Sequence, residues 1–108
     1  MSLYLTRAQY TSEAYRGMLA KPGEREGPGR EIFEAAGMKL LHMRCSAKSE
    51  VIWICEGDAV AVTTVSMAVM ASGAFSNAES VELITMKQQV DAMKGAAKVA
   101  GKYRPPGK

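Results

Sequence analysis

The chain has 108 residues, 47% of them hydrophobic and 23% charged, a balance that fits one globular domain and excludes a disordered or fibrous chain. Lys and Arg number 14 against 11 Asp and Glu, a formal charge of +3, with part of the excess between Lys94 and Lys108. A nucleic-acid binder would group those cations on one face with aromatic residues among them, and the sequence ahead of the tail has no such grouping, which argues against nucleic acid as a partner.

No stretch approaches the roughly 18 apolar residues of a membrane span, and the apolar run at the N-terminus is too short for a signal peptide, so a cytoplasmic protein is expected. Cys45 and Cys55 then read as free thiols, and two cysteines with the single His42 are too few for a structural zinc site. Neither a metal nor an organic cofactor is called for. A chain this short leaves on the order of a third of its surface exposed, and association with further copies is the usual remedy.

Ser2 to Tyr10 alternates in part, Leu3 and Leu5 on one side and Tyr4, Thr6 and Tyr10 on the other, which predicts a first strand. Thr11 or Ser12 can cap a helix that carries Tyr15, Met18 and Leu19 and ends at Lys21-Pro22-Gly23. Glu24 to Gly29, with Gly27, Pro28 and Gly29, reads as a loop before a second helical piece, Arg30 to Ala36, closed by Gly37 in the left-handed conformation. Met38 to Ala47 predicts a second strand with Lys39, Leu41, Met43 and Cys45 on one face and Met38, Leu40, His42 and Arg44 on the other. After a tight connection at Ala47-Lys48-Ser49, Glu50 to Glu56 holds the continuous run Val51-Ile52-Trp53-Ile54-Cys55, the pattern of a central strand covered on both faces.

Asp58 caps a helix running to Gly73 that contains no charged residue after its cap. Val62, Val65 and Val69 form one stripe, and Met67 and Met70 lie on another side, so a second subunit is expected to cover part of it. Phe75 to Ile84 supplies a fourth strand. Thr85-Met86-Lys87-Gln88 then matches a capping box ahead of a helix with the stripe Met86, Val90, Met93 and Ala97. Residues 1–100 are expected to form the single domain and 101–108 an extended basic tail.

This order predicts an α+β chain of the ferredoxin-like kind, a βαββαβ antiparallel sheet with two helices on one face and an extra C-terminal helix. The residues also resemble the GYD family, small bacterial proteins of that fold. The resemblance is carried by Leu3-Tyr4-Leu5-Thr6-Arg7 with Tyr10-Thr11, by Glu34 to Leu41, and by Ala71-Ser72-Gly73-Ala74-Phe75-Ser76. At the turn between strands two and three, where the family has its Gly-Tyr-Asp signature, this chain has Ala47-Lys48-Ser49-Glu50, and only Glu50 keeps the acidic character. The resemblance implies the fold and an assembly like the dimeric α/β barrels; fold alone implies no activity.

His42 and Arg44 are the candidate catalytic pair, since a neutral imidazole can move a proton while a guanidinium holds a carboxylate at two points. Tyr4, Thr6 and Tyr10 could add hydroxyl donors on the same sheet face. Trp53, a core residue by its place in the run, and Glu50 complete the candidate ligand-binding set. Cys45 lies opposite His42 on an alternating strand, so a Cys-His pair within one chain is not expected. Two function classes stay open. One is a small-molecule binder, or a cofactor-independent enzyme doing acid/base chemistry on a small carbonyl or carboxylate compound in a pocket on the sheet face. The other is a non-enzymatic homo-oligomeric structural or regulatory protein, joined through the sheet face and helix 58–73.

Overall fold

A strand whose alternate residues are apolar can bury one face and leave the other free, and the two middle strands do so. The computed structural model describes all residues from Met1 to Lys108. Its elements are β1 (Ser2–Tyr10), α1 (Ser12–Ala20), α2 (Glu26–Ala35), β2 (Lys39–Cys45), β3 (Glu50–Gly57), α3 (Ala59–Ala71), β4 (Phe75–Leu83) and α4 (Met86–Val99), followed by one 3₁₀ turn at Ala100–Lys102. The strands form one sheet in the order β2-β3-β1-β4 with every neighbour antiparallel, an α+β arrangement of the ferredoxin-like kind. β3 is an inner strand, as its apolar run predicts.

The core lies on the helix side of the sheet. Tyr4, Thr6 and Ala8 of β1 and Val51, Trp53 and Cys55 of β3 are buried there beneath Phe33 of α2 and Val62 and Val65 of α3. Each large apolar side chain removed from water contributes about 1.5–3 kcal/mol. Thr6, the buried polar residue, is satisfied by Ser80 Oγ at 2.8 Å.

The helix starts are set by the side chains the sequence offers. Thr11 accepts the Ala14 N–H and donates to the Gly73 carbonyl at 2.9 Å, fastening α1 to the segment that follows α3. Asp58 accepts the Ala61 N–H at 2.8 Å, and the Thr85/Gln88 capping box is complete. Gly37 adopts φ +83°, the conformation that ends α2.

Three expectations are corrected. The stretch Glu24 to Gly29 is not a loop throughout: α2 begins at Glu26 because the Glu24 carboxylate accepts the Glu26 and Gly27 N–H groups at 2.9 and 3.0 Å. Pro28 sits in the first turn, where its missing N–H costs nothing. The second strand does not alternate strictly. A β-bulge between Leu40 and His42 places Leu40 opposite Cys55 and Met43 opposite Trp53 on the helix side, while His42 and Arg44 stand opposite Ile54 and Ile52 on the other face.

The third correction concerns β3, whose second face is not covered by this chain. Ile52 and Ile54 remain half-exposed there beside Leu3, Leu5 and Leu83, with Val81 at 50% exposure. The polar margin of this open face includes the Arg7–Glu79 ion pair at 2.8 Å, Lys39, His42, Arg44 and Glu56. α3 buries Val62 and Val65 and exposes Val60 and Met67. α4 buries no residue at all. The Cα radius of gyration, 17.9 Å, exceeds the roughly 13 Å of a compact chain this long because α4 and the tail extend away from the sheet. No helix is long and apolar enough to cross a membrane.

Phe33 is 1% exposed, with its ring 6.0 Å from that of Trp53. Phe33→Ala is expected to lower stability by about 3–5 kcal/mol, measured by denaturant unfolding, through the cavity it opens under the sheet.

Candidate functional site

The site begins with Trp53 at the middle of β3. Its indole is edge-on to Phe75 at 5.4 Å, and Phe75 in turn stacks on Tyr10 at 4.6 Å, so the aromatic rings run in a row along the helix side of the sheet. α2 closes over this row at Gly29. A Cβ on Gly29 would lie 2.8 Å from Met43 Sδ and 3.5 Å from Trp53 Nε1, so only glycine lets the helix approach this closely without displacing the thioether.

Between α2, α3 and the sheet a cavity of about 230 Å³ remains, walled by Ile32, Met43, Trp53, Val69 and Phe75, with Tyr10 and Arg25 as its polar side chains beside Ser72. Trp53 is 3% exposed, and its Nε1 is buried without a hydrogen-bond partner. A buried donor left unpaired costs about 1–3 kcal/mol, so this N–H is a standing demand for an acceptor. Burial pushes the Tyr10 hydroxyl above its ordinary pKa, against the opposing effect of the Arg25 guanidinium beside it. At neutral pH Tyr10 is therefore a protonated phenol and can donate as well as accept.

The structure divides the residues singled out in the sequence. Trp53 and Tyr10 meet at the cavity. Tyr4 and Thr6 lie on the same face but are built into the core, Thr6 bonded to Ser80. His42 is exposed on the opposite face of the sheet; Arg44, exposed on the edge strand β2, donates to the Met43 carbonyl at 2.8 Å and also lines a groove with Tyr10, Arg25 and Met43. Glu50 sits at the start of β3, in a shallow polar groove with Arg7, Lys48 and Glu79. The single face shared by Tyr4, Thr6, His42 and Arg44 is thus corrected. The extra residue of the bulge turns His42 away from Leu40, and the sheet itself separates the imidazole from Tyr4 and Trp53.

Arg25, Gly29, Ile32 and Phe75 were not among those candidates. Gly29 carried the one usable signal, a glycine beside an apolar helical stripe, which can mark close backbone approach. Cys45 is exposed and Cys55 buried, both free thiols. No cluster of three or more His, Cys, Asp or Glu side chains is placed to hold a metal ion. No family model matches the chain, and no curated protein matches it, so the site is read from its geometry.

Burial pushes the Cys55 thiol up to about 11 from an ordinary 9.0. Because the folded chain holds this proton more tightly than the unfolded one, the group's contribution to stability is intact below about pH 9 and is lost as pH rises through about 11. An aromatic disulfide reagent at neutral pH is expected to titrate one thiol, Cys45, in the native protein and a second only after denaturant is added. Two thiols reacting equally fast in the native state would contradict the burial of Cys55.

Proposed function

We propose that this is a small-molecule-binding protein whose ligand occupies the cavity between α2, α3 and the sheet. The observation that carries the reading is the cavity itself, an apolar chamber of about 230 Å³ walled by Ile32, Met43, Trp53, Val69 and Phe75 with Tyr10 and Arg25 as its polar side chains. A ligand's polar end would meet Tyr10 and Arg25, while Ile32, Val69 and Phe75 would take up an apolar body. A cavity of about 230 Å³ lies below the roughly 300–1,000 Å³ of sites for drug-sized ligands and above the roughly 150 Å³ that accepts benzene, so the ligand is one ring or a branched chain with a short polar end.

Binding is favoured over acid/base catalysis because no His, Asp or Glu lines the cavity, leaving it donors and a cation but no general base. His42, across the sheet, would act on a substrate only in a site completed by another chain.

A second reading has its own support in the open sheet face. The strip formed by Leu3, Leu5, Ile52, Ile54 and Leu83 is what a second copy would cover, together with the exposed apolar side chains of α3. On this reading the protein is a cytoplasmic homo-oligomer, in keeping with its free thiols and with the GYD resemblance, and His42 and Arg44 lie at the margin of the contact.

Trp53 is the chain's one tryptophan, so its emission reports the cavity directly. Titration with 3-phenylpropanol, a neutral molecule of fitting size, is expected to give a saturable change that Val69→Phe abolishes by filling the cavity from α3. No saturable change with this alcohol or with its acid and amide counterparts would overturn the binding reading. For the assembly, native mass spectrometry is expected to show a closed oligomer that Ile54→Asp converts to folded monomer. A wild-type monomer would reject it.

A further inference from the structure

Resting on the reading of the cavity as a ligand site, we infer that its ligand is a small apolar acid, whose carboxylate is bound by Arg25 at the cavity mouth. Arg25 stands immediately before α2 and makes no capping bond with its side chain. The two carboxylates that flank it in sequence are engaged elsewhere: Glu24 holds the Glu26 and Gly27 N–H groups at 2.9 and 3.0 Å, and Glu26 pairs with Arg30 at 2.9 Å. Arg30 is itself committed, donating also to the Leu40 carbonyl at 2.8 Å.

Arg25 makes no salt bridge, and no acidic side chain lines the cavity. Arg25 and Tyr10 also line two neighbouring grooves, one with Glu24, Glu26 and Arg44 and the other with Glu24 and Lys21, so the guanidinium stands where the apolar chamber opens to water. A cation at the rim of an apolar chamber selects an anion with a hydrocarbon body, because the charge-assisted bond strengthens as the body displaces water from Ile32, Val69 and Phe75.

The apolar walls and Arg25 thus specify two properties of one ligand: a hydrocarbon body and a negative charge at the end that meets the guanidinium, which has no carboxylate of its own. The Tyr10 hydroxyl beside Arg25 is a further donor at the same end. A phosphate, with more charge and more oxygens to satisfy, would want several cations, and this cavity has one. The guanidinium also matches a carboxylate in planar two-point contact, which a lysine could not supply.

The test compares 3-phenylpropionate with 3-phenylpropionamide, equal in size and differing in charge, on the full chain at neutral pH and low salt, read by Trp53 emission and by calorimetry. The acid is expected to bind on the order of tenfold tighter than the amide. Arg25→Gln is expected to close that gap chiefly by weakening the acid, and an unchanged denaturant midpoint checks that the exposed substitution has not disturbed the fold. Equal affinities for acid and amide in the unsubstituted protein would overturn the carboxylate inference and leave the cavity reading standing. A gap that survives Arg25→Gln would overturn the role of Arg25. If neither compound perturbs Trp53, the cavity reading itself falls, and this inference with it.

Discussion

The burial of Trp53 against Gly29 is the constraint on which the rest depends. An indole at the centre of an inner strand must be covered by a helix, and a helix with a side chain at position 29 would collide with Met43 before it covered the ring. Glycine resolves the conflict, and the Glu24 cap with Pro28 in the first turn lets a helix form through a segment that would otherwise break one. The close approach has a consequence for the polar edge of the ring. Its N–H is shut off from water without being given a partner, and the incomplete filling between α2 and α3 leaves the cavity beside it. Packing and the cavity arise from the same contact.

The sheet separates two chemistries. Its helix side holds the core and a chamber equipped with donors and one cation; its open side holds an apolar strip edged by charge. One residue decides how side chains are divided between them. Because strand periodicity is two, the bulge at Leu41 moves everything after it to the other face: Met43 goes to the cavity wall, and His42 and Arg44 go to the open side. The imidazole is thereby separated from the cavity that holds Trp53 and Tyr10.

The open side and α4 have a common energetic character. A 14-residue helix is marginal in water by itself, and α4 has a full capping box but no packing to stabilise its stripe of Met86, Val90 and Met93. The strip on β1, β3 and β4 is likewise assembled and left unburied. In a domain of this size such surfaces are a large part of the apolar area that folding could remove from water, which is the physical basis of the assembly reading.

Much of the fold was legible in the sequence alone, because it rests on local rules. Alternation marked β1 and β4, the apolar run marked β3 as an inner strand, and hydroxyl or carboxylate caps at Thr11, Asp58 and Thr85 marked three helix starts. Gly37 marked the end of α2. Of the candidate site, Trp53 and Tyr10 were legible as residue types. That they share a cavity with Arg25, Gly29 and Phe75 was decided by tertiary structure, since these residues come from β1, β3, the start of α2 and β4. The bulge that turns His42 outward, the uncovered second face of β3 and the engagement of Glu24 and Glu26 away from Arg25 were decided there as well. Each depends on what stands opposite a residue in space, and a periodicity along the chain carries no record of that.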